Sequence, residues 1–287
     1  MIIVKITGGL GNQLFQYAIG RALSLKLDCE LVLDTSFYPQ QTLRKYELDK
    51  FNIQARLATK TEINKAGAGH HIIARLIRKL GLTTLLYPNY IKELESISYV
   101  SAIDYCQAGC YLDGYWQNPN YFEKYKETLC KDFAPITPIS KFAMKWLNKV
   151  KTTESVSLHV RRGDYVQNAH TNSVHGTCSL EYYRNAIAHM QRQVQAPIFY
   201  IFSDDIQWCK DNLTFIDNVF FVDDTTSAID DLMLMKQCKA NIIANSTFSW
   251  WGAWLNISQD FQVAPVNWFI AEDRSSKEIY PTSWFVL

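Results

Sequence analysis

The alternation after residue 154 constrains the fold more than any other feature of the chain. Short apolar runs at 155–161, 198–202, 219–222 and 241–244 alternate with stretches of helical spacing at 179–194, 206–212, 228–239 and 248–256. β-Branched and aromatic residues dominate the runs, and polar or turn residues bound them. Strands joined through helices pair in parallel, so this rhythm calls for βαβ units around a largely parallel sheet.

The first half is less regular. Residues 2–7 read as a strand, and Gly8-Gly9-Leu10-Gly11 as a turn. Leu14, Phe15, Ala18, Ala22 and Leu25 then recur at helical spacing, and 30–34 reads as a second strand. Residues 60–98 read as mostly helical with loops, 111–116 as a strand and 120–131 as a helix. Pro135, Pro138 and the polar stretch 149–154 punctuate the chain. The predicted class is therefore α/β with two such halves, 1–150 and 151–287.

Composition narrows the partners. The chain of 287 residues has 29 basic and 28 acidic side chains. No basic cluster of the kind that binds nucleic acid generically stands out. No apolar run reaches the ~20 residues needed to span a bilayer. Met1-Ile2-Ile3-Val4-Lys5 reads as a first strand and not as a signal peptide, so a cytoplasmic location is expected. The seven Cys are scattered, with Cys106 and Cys110 the close pair and no His beside them, so reduced thiols and no metal are expected.

Ligands of open parallel sheets bind at the carboxyl ends of the strands, and four polar clusters stand there. The first is Gly8-Gly9-Leu10-Gly11-Asn12-Gln13, with Asp34 closing the next strand. Gly11 and Asn12 belong to a turn whose backbone N–H groups a ligand can approach. A dinucleotide fold would need a third glycine where Leu14 stands. The second is His159-Val160-Arg161-Arg162-Gly163-Asp164-Tyr165. Strand parity puts His159 and Arg161 on one face, which suits Arg161 to a diphosphate and leaves Arg162 to a carboxylate across the sheet. The third is Phe202-Ser203-Asp204-Asp205. One carboxylate can accept both donors of a guanine edge, while the other caps the following helix. The fourth is Asn245-Ser246-Thr247-Phe248-Ser249, where a helix start offers N–H groups to phosphate, or where the hydroxyls merely cap.

These motifs together resemble the bacterial α-1,2-fucosyltransferases of glycosyltransferase family 11. The resemblance rests on Gly8 to Tyr17, His159 to Tyr165, Phe202 to Asp205, Asn245 to Gly252 and His175 to Tyr183. It implies a GT-B-like fold of two Rossmann-like domains facing a cleft. It also implies inverting transfer of fucose from GDP-β-L-fucose to the 2-hydroxyl of a galactose-containing glycan, as in O-antigen assembly, where the acceptor can be lipid-linked. The donor then binds the C-terminal domain, and Arg161 holds its β-phosphate. The donor set is Gly11, Asn12, Arg161, Asp204, Asp205, Asn245, Ser246, Thr247 and Ser249. Asp164 is the first candidate for the base and His159 the second. Tyr115, Trp116, Gln117 and His175 are the acceptor candidates, with Trp116 stacking on sugar or simply buried. No cofactor and no metal are expected, because the chain has no Asp-x-Asp and adjacent acids such as Asp204-Asp205, Asp223-Asp224 and Asp230-Asp231 diverge.

Two other classes fit parts of the chain. A nucleotide-dependent oxidoreductase would use Gly9, Gly11 and Asp34, and a catalytically silent binder would take GDP without turnover. The stretch from His71 to Leu80 reads as a basic amphipathic helix, either lying on a membrane at the inner face or simply solvated.

Overall fold

The computed structural model describes residues 1–287 except 70, 71, 94–97, 164, 165, 167–172, 174, 175, 226, 257, 259, 260 and 271–277. The side chains of Gln40, Ile73, Arg75, Arg78 and Thr84 are likewise outside the description. The chain divides into two compact units, Met1–Ile136 and Thr137–Leu287.

The first unit is built on five parallel strands: β1 (Ile2–Lys5), β2 (Leu31–Asp34), β3 (Arg56–Leu57), β4 (Tyr90–Lys92) and β5 (Tyr111–Asp113). Their spatial order is β3-β2-β1-β5-β4. From β1 the chain runs outward one way through β2 and β3, then fills the other side with β4 and β5. The reversal between β1 and β5 opens a crevice at the strand tips. Helix α1 (Leu10–Lys26) lies against this sheet, and Gly20 permits the approach: a Cβ there would fall 2.5 Å from a Val4 methyl. Helices α2 (Lys60–Lys65), α3 (Ile72–Lys79), α4 (Thr83–Leu86) and α5 (Lys126–Asp132) complete the unit.

The second unit carries six parallel strands in the order β11-β10-β9-β6-β7-β8. They are β6 (Ser155–Val160), β7 (Ile198–Ser203), β8 (Val219–Phe221), β9 (Ala240–Ile242), β10 (Phe261–Ala264) and β11 (Phe285–Val286). The central strand β6 is buried at every residue, as a strand covered on both faces must be. Helices α6 (Lys141–Thr152), α7 (Leu180–Gln193), α8 (Ile206–Asn212), α9 (Ala228–Met235) and α10 (Thr247–Trp254) belong to it. Its reversal lies between β6 and β9.

The boundary falls one helix earlier than the polar stretch at 149–154 suggested. Helix α6 belongs to the second unit because Ser140 N–H bonds Asp230 Oδ1 at 3.1 Å and the Trp146 indole donates to Asp224. Strands β3, β4, β10 and β11 escape sequence reading.

Helix α10 is apolar on every side and buried throughout its last six residues. Gly252 lets it approach α9, since a Cβ would lie 3.0 Å from Met235. The Trp250 indole donates to Ile279 O at 2.8 Å. After the helix, Asn256 Nδ2 reaches Asn241 Oδ1 at 2.7 Å, and Asn241 Nδ2 reaches Ser157 Oγ at 2.7 Å. A helix held this way presents a fixed N-terminus at the sheet's reversal. All seven thiols are free of disulfides.

Candidate functional site

In the second unit, strand β6 ends at the reversal and delivers Arg161 there. Nη1 of Arg161 lies 3.0 Å from Oδ2 of Asp204, which follows the neighbouring strand β7. Oδ1 of Asp204 accepts from the Arg162 backbone N–H at 2.8 Å. Gly163 makes this fit, because a Cβ would stand 2.5 Å from Asp204 Oδ2. The Arg162 side chain turns the other way, as strand parity requires. Its Nε meets Asp205 Oδ2 at 3.2 Å, and its guanidinium lies 4.0 Å over the Trp208 ring. Asp205 also caps α8 through Oδ1 and the Trp208 N–H at 3.2 Å. Asp204 therefore orients Arg161, while Asp205 combines capping with a hold on Arg162.

His159 is buried beside Arg161. Burial above all, and the Arg161 charge, lower its pKa to about 4 against an opposing pull from Asp204. The imidazole is neutral at pH 7, and among the described residues its Nδ1 finds no partner. Its ring sits 5.7 Å from the Phe248 ring, which ties the tip of β6 to the first turn of α10. Ser246 occupies the cap position of that helix, yet its side chain makes no capping bond. The first-turn N–H groups therefore have no cap from this serine, the arrangement a phosphate site uses. Ser249 Oγ turns back to Ser246 O at 3.2 Å. Asn245 is structural in its contacts: its Nδ2 holds Gly176 O at 3.2 Å and its Oδ1 accepts from the Cys178 thiol. Asp164 and His175 lie outside the described residues.

In the first unit the polar residues of the opening motif brace loops. Gln13 Nε2 donates to Gly8 O at 3.1 Å and Lys45 O at 2.8 Å, and its Oε1 accepts from Glu47 N–H. Gln16 binds Thr7 through both ends of its amide and donates to Gly114 O at 3.0 Å. Asn12 Oδ1 accepts from Gln117 Nε2 at 3.1 Å, which joins a donor candidate to an acceptor candidate at the reversal between β1 and β5. Gly11 is buried in the first turn of α1. Asp34 is 1% exposed and accepts from the Tyr111 hydroxyl at 2.6 Å, so it has no carboxylate to offer a cofactor ribose. This burial weighs against the oxidoreductase reading.

Trp116 needs correction as a sugar platform. It is 0% exposed and packs edge-on against Tyr121, so it shows no face to a ligand. Tyr115, half exposed, carries the only available ring of the Tyr115-Trp116 pair. Sequence reading also missed Glu93, just beyond β4. Its carboxylate accepts from the Tyr115 N–H at 2.5 Å and the Trp116 N–H at 3.0 Å. Trp116 has φ +57, a conformation that is rare without glycine and that this clamp holds. Gly114 admits Glu93, since a Cβ would fall 2.3 Å from the Glu93 Cβ. The one signal in sequence is an acid one residue after the short run Tyr90-Ile91, which Pro88 and Asn89 disguise as loop. Glu93→Ala is expected to lose ~1–3 kcal/mol of stability by orphaning two N–H groups. It should raise the acceptor KM more than it lowers kcat. Urea unfolding equal to wild type would contradict the clamp.

Each adjacent acid pair sends its members to different partners. Asp223 meets Lys210 at 2.6 Å while Asp224 accepts from Trp146, and Asp230 accepts from Ser140 N–H while Asp231 accepts from Thr225 at 2.6 Å.

Comparison with known proteins supplies the rest. The sequence profile described as glycosyl transferase family 11 matches residues 1–287. An alpha-1,2-colitosyltransferase of Escherichia coli is 37% identical over 291 positions, 99% of this chain and 98% of that one. The Escherichia coli O-antigen biosynthesis glycosyltransferase WbnK is 32% identical, covering 98% of this chain and 99% of its own. Human galactoside alpha-(1,2)-fucosyltransferase 1 is 27% identical across 50% of this chain and 42% of its own. Among solved structures, the fucosyltransferase NodZ from Bradyrhizobium superposes with a TM-score of 0.54 at 11% identity, over 88% of this chain and 91% of that one.

Proposed function

The chain belongs to glycosyltransferase family 11 and has the GT-B fold of two Rossmann-like units, and from that premise we propose that it transfers L-fucose from GDP-β-L-fucose to the 2-hydroxyl of a terminal galactoside. The linkage formed is α-1,2, so the anomeric centre inverts. The observation that carries this reading is the Arg161–Asp204 pair at the β6/β9 reversal, beside the start of α10.

Inversion proceeds by in-line displacement through an oxocarbenium-like transition state. Negative charge gathers on the departing diphosphate, where Arg161 and the N–H groups after Ser246 stabilise it. Thr247 and Ser249 stand in that first turn. Asp205, the more exposed of its pair, reads the guanine edge with lone pairs left over from capping. The acceptor's proton goes to Asp164. A neutral His159 with a pKa near 4 is a poor proton acceptor at pH 7, so burial weighs against the second candidate. Tyr115 and Gln117, in the first unit, serve the acceptor. The Escherichia coli relative named for O-antigen biosynthesis favours a glycan acceptor of that kind.

A second reading has its own support. The 37% relative transfers colitose, the 3-deoxy counterpart of L-fucose. A site that hydrogen-bonds the 3-hydroxyl rejects the deoxy donor strongly, whereas a site that ignores it does not.

One experiment tests both. Metal-stripped protein in excess EDTA is incubated with a panel of galactosides and either GDP-fucose or GDP-colitose, and the product linkage is determined. The expected result is an α-1,2-fucosylated galactoside, formed at the same rate with and without EDTA. Product from the colitosyl donor alone would overturn the fucose assignment. Activity that returns only with Mn²⁺ or Mg²⁺ would overturn the metal-free account of the leaving group.

A further inference from the structure

The first unit bears an apolar surface that the transfer chemistry does not use. Ile72 and Leu76 on α3, and Leu80 directly after it, recur every fourth residue and are 84%, 54% and 60% exposed. Residues four apart stack on one helical face. Ala74, on the opposite face, is buried against the body of the unit. The Leu80 N–H closes the last turn on Leu76 O, and Gly81 at φ +69 bends the chain into α4. There Leu85 and Leu86 are 76% and 53% exposed, and Leu82 before them is also exposed. Tyr87 anchors the far end by packing on Gly67 and on the cluster of Ile63 and Ala68. The two helices and the turn between them thus present six large aliphatic side chains to the outside.

Charge around this surface is segregated. Between Ile63 and Lys92 the sequence holds Lys65, Arg75, Arg78, Lys79 and Lys92 and not one of the chain's 28 acids. A chain that is nearly neutral overall therefore carries a basic, acid-free stretch of sequence across these exposed aliphatic residues.

We propose that α3 and α4 form a docking surface for an anionic lipid bilayer, with the Ile72–Leu76–Leu80 stripe and Leu85 and Leu86 entering the headgroup boundary. Aliphatic side chains flanked by Lys and Arg with no acids are what such a surface binds. A second copy of the chain fits less well. A two-fold contact would set this acid-free zone against itself and bring like charges together. Described helices include none long and apolar enough to cross a membrane, so the contact is peripheral.

The test is sedimentation of the full chain with vesicles, independent of the donor and acceptor assignments. Wild type should bind phosphatidylglycerol-containing vesicles at low salt at least about tenfold more tightly than pure phosphatidylcholine, and high salt should weaken it. Leu76→Ser/Leu80→Ser/Leu85→Ser should weaken binding by about tenfold or more while turnover on a water-soluble galactoside stays unchanged. Arg75→Gln and Lys79→Gln should each weaken it roughly fivefold. Equal binding to the two vesicle types, or a triple variant that binds like wild type, overturns the proposal. Absence of vesicle binding together with a dimer that the triple variant breaks assigns the surface to a second copy and overturns it too.

Discussion

Arg161→Ala is expected to lower transfer about 10²–10³-fold, with most of the loss in kcat. The guanidinium meets charge that grows only as the glycosidic bond breaks, and contacts stronger in the transition state appear in kcat. Arg161 stands at the tip of the central strand with its side chain 20% exposed, where partial exclusion of water strengthens its field. Arg161→Lys is expected to recover less than about a tenth of the lost activity. An ammonium is a point charge and cannot bond Asp204 while presenting a two-pronged face to phosphate. Steady-state kcat and donor KM for both variants decide the matter. Wild-type kcat in the alanine variant, or full rescue by lysine, would remove Arg161 from the leaving-group site.

Much of the second unit is legible in the sequence because each of its strands from β6 to β9 is followed by a helix with its own period. The tips of those strands carry His159 to Gly163, Ser203 to Asp205 and Asn245 to Thr247, and the structure brings the first two clusters into direct contact. Parity alone separates Arg161 from Arg162. What the sequence hides is pairing between distant segments. Nothing in Phe202-Ser203-Asp204-Asp205 says that Asp204 meets an arginine 43 positions earlier by way of Gly163. Glu93 is hidden for the same reason, since its partners lie beyond an irregular stretch of chain. Trp116 shows the opposite error: a large aromatic in a plausible loop looks like a sugar platform, and burial is a tertiary fact. The amides of Gln13 and Gln16 satisfy loop backbone through pairings that are likewise tertiary facts.

Asp204→Asn is expected to lower kcat about 10–10²-fold, a loss of ~1.4–2.8 kcal/mol. Asparagine keeps one acceptor oxygen. It turns an NH₂ toward either the Arg161 guanidinium or the Arg162 N–H, the two donors that Asp204 now serves at 3.0 and 2.8 Å. Arg161 then loses its orientation and gains a facing donor. If Asp204 acts through Arg161, the double variant Arg161→Ala/Asp204→Asn falls no further than Arg161→Ala alone, because the two form one functional unit. Additive losses would separate them. Guanine recognition provides the independent readout. Wild type should be inhibited more strongly by GDP than by ADP, and Asp204→Asn should keep that preference, since Asp205 carries the base contact. Asp205→Asn should narrow it, because an amide presents a donor to guanine's own donors. A GDP preference that collapses in Asp204→Asn while kcat holds would exchange the two aspartates: Asp204 would read the base, and Arg161 would owe its position to the strand tip alone.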